Sequence, residues 1–188
     1  MSINRLEAFS DGVIAIIITI MVLELTIPMD SNWNSLFKLY PVFISYILSF
    51  LYVGIYWNNH HHLLHVTKHI NALIMWNNHL LLFFLSLIPF GTAWMGEHHF
   101  EQNTVIVYGI ILLMCAISFM FLQLSISKCH HDQKVVDVLQ STKLKGYISI
   151  IGYILAIALA FFQPYLSFVI YLLVGISWLI PDKAIEKL

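Results

Sequence analysis

The side chains best suited to chemistry stand in three short stretches. "RLEAFSDG" brings Arg5, Glu7 and Asp11 directly before an uncharged run from Gly12 to Leu23, "YWNNHHHLLHVTKH" covers 56–69, and "WNNHLLLF" covers 76–83. Indole, imidazole and carboxamide groups donate hydrogen bonds to a carboxylate, and the last two also accept from a guanidinium. Trp57, His60, His61, Asn77, Asn78 and His79 are therefore candidate partners for Asp11 and Arg5. Ten histidines also raise the question of a metal or a haem. His61 and His65 have the i,i+4 spacing that suits a divalent ion on a helix, with His79 as a further donor. No HExxH or carboxylate-rich helical motif accompanies them, and a bundle that holds haem uses facing histidines at depth rather than a row at one end. "CHHD" at 129–132 fits no closed zinc site and reads as a solvated loop, and Cys115 and Cys129 are not placed to pair. Hydrogen bonding is the chemistry these residues support, with no metal, no cofactor and no enzymatic centre.

The elements that position them have to be membrane helices. A chain of 188 residues that is 60% hydrophobic and 10% charged has too little polar surface to cover a soluble globule. Its mean hydropathy of +0.82 points the same way. The first apolar run is followed by "ELTIPMD", which offers no small-residue cleavage site, so no part is expected to be removed as a signal peptide. Six spans are expected, at 5–27, 40–64, 72–95, 104–127, 146–163 and 165–180. They are assigned as helices because the runs approach roughly 20 residues and lack the two-residue alternation of barrel strands. Together they make residues 1–188 one six-helix transmembrane domain. The sixth span is short, and "FQPYL" leaves almost no connection before it, so the last two spans should form a tight antiparallel hairpin.

Orientation follows from the basic residues. With the N-terminus inside, Arg5, Lys68, Lys128, Lys134, Lys143, Lys145, Lys183 and Lys187 are cytoplasmic and only Lys38 is outside. Both termini of this multi-pass protein of the cell (inner) membrane are then cytoplasmic. The connection at 128–145 is the only sizeable polar segment, and no patch suited to nucleic acid is present. The two Asn- and His-rich stretches fall at the cytoplasmic ends of spans two and three, the depth of Arg5 and Asp11.

Helical geometry divides the first span by face. At about 100° per residue, Arg5, Phe9, Gly12, Ile16, Thr19, Ile20, Leu23 and Ile27 share one side, and Glu7 and Asp11 lie on roughly the opposite one. Like charges four apart repel, so the acidic side needs donors from neighbouring helices. Glu7 has water as an equal alternative, and Asp11 is expected to have a buried partner. The aliphatic stripe, taken by itself, reads as ordinary packing surface. Glu24, just past Leu23, either raises the local cation concentration or is simply solvated.

"RLEAFSDG" followed by "VIAIIITIMVLEL", then "YWNNHHHLL", then an Asn-rich start to the third span that ends in "LIPF", resembles the bacterial branch of the lysosomal and endosomal transmembrane potassium channel family. Arg5, Phe9, Ser10 and Asp11 carry an Arg-x-x-x-Phe-Ser-Asp signature, and Trp57, His60 and His61 a Trp-x-x-His-His element. The resemblance implies a potassium-permeable cation channel without a re-entrant carbonyl filter, and no TVGYG-like segment lies between any two spans. It also implies that the first helix of each repeat lines the pore. Ile16, Ile20 and Leu23 then stand at the constriction and Thr19 at the position associated with ion selectivity. Arg5, Ser10, Asp11, Trp57, His60, His61, Asn77 and Asn78 would form the structural hydrogen-bond network that holds that helix. The signature occurs once per chain, and a hole lined by one helix needs several copies, so a cyclic homotetramer in the lipid bilayer is expected, permeated by monovalent cations. The alternative is a proton-coupled secondary transporter using the Asp and His cluster as a relay. An internal inverted repeat and Gly or Pro breaks at mid-membrane in the first span, which that reading calls for, are absent from the sequence.

Overall fold

The structure, a computed structural model, describes residues 2–67, 69–129 and 133–179, with backbone alone over 133–142. Regular structure among the described residues is entirely helical: α1 (Ile3–Leu23), α2 (Trp33–Lys38), α3 (Tyr40–His65), α4 (Ala72–Leu85), α5 (Ile88–Glu97), α6 (Gln102–Cys129), α7 (Gln133–Ala160) and α8 (Pro164–Leu179). Five stretches are long and apolar enough to cross a membrane, namely Ile3–Leu23, Tyr40–His65, Ala72–Glu97, Gln102–Cys129 and Lys143–Ala160, and α8 is a shorter apolar helix.

Four boundaries differ from the sequence-based expectation, each for a local reason. First, α1 stops at Leu23 rather than at Ile27, its last turn tightened by Glu24 N–H on the Ile20 carbonyl (3.1 Å) and Leu25 N–H on that of Val22 (3.2 Å). Pro28 disfavours helical backbone at Ile27, and β-branched Thr26 and Ile27 favour extension. Second, the third span is broken at Ser86 and Leu87, because Pro89 has no N–H to offer one turn back. Asn71 caps the first half by accepting from Ile74 N–H at 2.8 Å. Third, the connection between the first two spans contains the short α2, whose Trp33 and Phe37 are exposed. Fourth, α7 begins at Gln133, so much of the polar connection at 128–145 is helix rather than loop. His130, His131 and Asp132 of "CHHD", and Lys68, Lys183 and Lys187 of the charge count, lie outside the described residues, as does the side chain of Lys134.

The fifth and sixth spans form the expected hairpin, with Phe162 and Gln163 N–H both bonded to the Leu159 carbonyl at 2.9 and 2.8 Å. The α5–α6 corner is tighter still: His99 and Phe100 take left-handed backbone, φ 50° and 61°, which sends the Phe100 N–H to the Met95 carbonyl at 3.0 Å. The strain of two non-glycine residues there is offset by burying Phe100, whose ring meets Phe168 edge-on at 4.8 Å.

Helix α6 is the central post, packed against α4, α5, α7 and α8, whereas α1 lies at the margin against α3, α4 and α5. Lipid tails are as apolar as leucine, so close packing and buried hydrogen bonds have to hold such helices together. Both are present. A Cβ on Gly96 would come within 2.8 Å of the Val42 Cα, which measures how closely α5 approaches α3. In the middle of the bundle Thr92 Oγ1 donates to Ser49 Oγ (2.6 Å), which is 2.8 Å from the Tyr108 hydroxyl. Tyr52 donates to the Tyr171 carbonyl (2.6 Å), and Tyr171 to that of Val105 (3.2 Å). These hydroxyls tie α3, α5, α6 and α8 into a fixed frame for α1.

Candidate functional site

Helix α1 buries Leu6, Ser10, Ile14, Ile17 and Met21, one residue per turn on one side. Ser10 and Asn78, on α1 and α4, meet His60 of α3 in the interior, all three fully buried. The Ser10 hydroxyl donates to the Leu6 carbonyl at 2.8 Å, so its oxygen accepts from Asn78 Nδ2 at 3.0 Å. That fixes the Asn78 amide, leaving Oδ1 as acceptor for His60 Nε2–H at 2.6 Å. His60 Nδ1 has no partner among the described residues. Three helices are thus knotted by one chain of directional bonds in a medium where an unpaired polar group is expensive.

The acidic residues sit at the edge of this knot. Trp57 Nε1–H donates to Asp11 Oδ1 at 3.0 Å, and His61 Nδ1 pairs with Glu7 Oε1 at 2.8 Å. Asp11 is only half-buried and Trp57 is 45% exposed, so within one chain the partner expected to be buried lies at the surface. Two residues of the expected network are not brought into it. Arg5 is exposed and its guanidinium makes no hydrogen bond or ion pair among the described residues, because it lies on the far side of α1 from Asp11. Asn77 turns to α6, where Nδ2 donates to the Phe121 carbonyl at 3.3 Å. His79 bonds to the Met75 carbonyl (2.7 Å) and stacks on Phe9 at 5.5 Å. His61 and His65 stack on each other at 6.1 Å, and among the described residues no three His, Cys, Asp or Glu side chains come together as a metal would require. The sequence left Glu7 open between water and a partner; its distance of four from Asp11, matched by Trp57 and His61 four apart on α3, was the available signal.

The other side of α1 is bare. Ile16 is 59%, Ile20 41% and Leu23 76% exposed, against 2% for Ile17, and Gly12 has no atom within 4 Å of where a Cβ would stand. Arg5, Phe9 and Thr19 belong to the same exposed face. It differs from the exposed face of α7, where Ile148, Ile151, Ile154 and Leu155 follow without polar interruption. Thr19 donates its hydroxyl hydrogen to the Ala15 carbonyl at 3.0 Å, which leaves the oxygen lone pairs directed outward to accept or to coordinate a cation.

Residues 5–89, which take in all but the first two residues of α1 together with its hydrogen-bonded partners, match the family model described as endosomal/lysosomal potassium channel TMEM175. The chain is 54% identical over 187 residues to a potassium channel of Chryseobacterium sp. (strain P1-3), covering 100% of this chain and 97% of that one. The chain belongs to the TMEM175 family. A second relative, a potassium channel of Streptomyces collinus, is 30% identical over 169 residues, 84% of this chain and 82% of its own. The fold agrees with a crystal structure of a lysosomal potassium-selective channel TMEM175 homolog from Chamaesiphon minutus, with a TM-score of 0.84 and 28% identity over 94% of this chain and 96% of that one. TMEM175 proteins are multi-pass membrane proteins and ion channels rather than enzymes.

Proposed function

We propose that this protein is a potassium-permeable cation channel whose path runs along the exposed face of α1 in a cyclic homotetramer. The observation that carries the reading is the contrast on α1 itself. A helix bound to its own subunit by the Ser10, Asn78 and His60 bonds leaves Ile16, Ile20 and Leu23, interrupted by the Thr19 hydroxyl, exposed on the opposite side. Four such faces around an axis enclose a narrow passage. Rings of aliphatic side chains cannot replace an ion's hydration shell, so Ile16, Ile20 and Leu23 form the constriction, and the ring of Thr19 oxygens supplies the polar contact that discriminates between cations. Potassium is the permeant ion, and the mechanism uses no cofactor or bound metal. Residues 1–188 act as one channel domain in the cell membrane, with both termini on the cytoplasmic side where the lysines concentrate.

The Trp57 and Asp11 bond, at the surface of one chain, becomes protected when a second copy packs beside it. Arg5 has no partner among the described residues and faces the inner vestibule.

Recording from the purified protein in a planar bilayer tests both the function and the assembly. Discrete current steps are expected, reversing near the potassium equilibrium potential under a potassium gradient. The conducting particle should have a protein mass of about 87 kDa, four times 21.7 kDa. Saturable flux coupled to a second gradient without unitary steps would establish a carrier instead, and a conducting monomer would remove the pore.

A further inference from the structure

Helices α3, α6, α7 and α8 do not close on one another at the end of the bundle where the apolar part of α7 begins. They leave a partly open slot walled by Tyr56, Phe119, Met120, Gly146, Ser149 and Trp178 among others. Its cavity volume is about 30 Å³, so it is a narrow cleft rather than a chamber. Its polar groups are largely occupied with one another: Trp178 Nε1 donates to Ser149 Oγ (2.8 Å), Ser149 to the Lys145 carbonyl (2.8 Å), and Asn59 Nδ2 to the Ile55 carbonyl (2.8 Å). The rest of the lining is mostly apolar, with Gln123 and the tyrosines Tyr52, Tyr56 and Tyr153 among it.

A second small opening shares Met120, Gln123 and Gly146 with the slot and adds Leu124, Lys143 and Tyr147. It carries the cleft out between α6 and α7 to the exposed apolar face of α7, where Tyr147, Ile148 and Ile151 stand. The described charged side chains that flank this mouth are basic. Lys143 lies one turn before Tyr147 and Lys128 one turn beyond Leu124, both are exposed, and among the described residues no Asp or Glu lines either opening.

We propose that the cleft is a lipid site that takes one acyl chain of an anionic phospholipid from the adjoining leaflet, its phosphate held between Lys128 and Lys143. The narrow, mostly apolar slot is continuous with the exposed apolar face of α7, and the two lysines lie near the half-buried indole of Trp178 and the exposed phenol of Tyr147, side chains at home at a membrane interface. A soluble apolar ligand would make no use of the lysines, and a soluble anion none of the slot. An acyl chain seated there rests against Tyr56, the residue before Trp57 on α3. The occupant therefore touches the helix that holds α1.

The test uses the full chain in nanodiscs and reads quenching of Trp178, taken as the difference between the wild type and Trp178→Phe, by phospholipids brominated on the acyl chain. Brominated phosphatidylglycerol is expected to half-quench Trp178 at a mole fraction about fivefold lower than brominated phosphatidylcholine. Lys143→Gln combined with Lys128→Gln, both exposed and outside the packed core, should erase that difference. Gly146→Leu, whose Cβ meets no atom within 4 Å, should fill the slot and weaken quenching by both lipids. Equal half-quenching by the two lipids in the wild type, or a phosphatidylglycerol preference that survives the double lysine substitution, overturns the proposal. No current enters this readout, so its failure is separate from failure of the channel reading.

Discussion

Ile16→Asn and Leu23→Ala raise the resting potassium flux of the reconstituted protein, whereas Ile17→Ala lowers its melting temperature without opening a path. The two classes differ because adjacent residues face opposite ways: Ile16 is 59% exposed and Ile17 is 2% exposed. Widening an aliphatic ring, or giving it a carboxamide, lets an ion keep or replace part of its hydration shell. Symmetry amplifies the change. A barrier lowered by about 1.4 kcal/mol, about a third of a kcal/mol from each of four copies, is a tenfold rise in rate. Ile17→Ala instead empties a packed site, at a cost of about 2 to 5 kcal/mol per subunit. Thr19→Val removes the hydroxyl oxygen from the same face and should shift the potassium to sodium ratio, read as a reversal potential under a mixed gradient. Flux raised by Ile17→Ala and untouched at Ile16, Thr19 and Leu23 would put the path on another face.

Asn78→Ala should be the most damaging single change in the hydrogen-bond knot. It leaves the buried His60 Nε2–H without its acceptor and removes the donor to Ser10, each defect costing about 1 to 3 kcal/mol. Thermal unfolding of the purified protein and the tetramer fraction on size exclusion should both fall. Asp11→Ala should be milder in a dissociated subunit and severe in the assembly, since its bond to Trp57 lies at the surface of one chain. Trp57→Phe should match Asp11→Ala, and the double variant should be no worse than either, which is the signature of a pair that acts only on each other. Additive losses would mean that the two residues serve different contacts.

Much of this arrangement was legible because membrane helices are constrained. Six spans could be read from hydropathy, since lipid permits no other backbone for runs of that length. The division of α1 into an aliphatic and an acidic side followed from helical period alone. The misplaced boundaries have specific causes: Pro28 and the β-branched pair before it shorten α1, and Pro89 splits the third span inside a run that stays apolar throughout. Hydropathy carries no information about such breaks. Partner choice was harder. Asn77 and Asn78 are adjacent and identical in type, but 100° of rotation sends one to α6 and the other to Ser10 and His60. Only the packing of α4 between its neighbours decides which. The tyrosine hydroxyls of the bundle core escaped notice because a buried phenol in an apolar run scores like any other large side chain, and its bond partner is a distant residue such as Ser49 for Tyr108.

Thiol modification along α1 tests the path most directly. In a Cys129→Ser background, with Cys115 fully buried, cysteine is placed singly at Thr19, Leu23, Ile17 and Leu155. A charged methanethiosulfonate reagent reacts with thiolate, which forms where water reaches the sulfur. Leu155 is as exposed as Ile16 in the isolated subunit but lies on the apolar face of α7, so it separates a wet surface from a lipid-facing one. The reagent should arrest potassium current through the Thr19→Cys and Leu23→Cys proteins and leave the Ile17→Cys and Leu155→Cys proteins conducting. Block at Ile17 or Leu155, with Thr19 and Leu23 unreactive during conduction, would contradict a pore lined by the exposed face of α1.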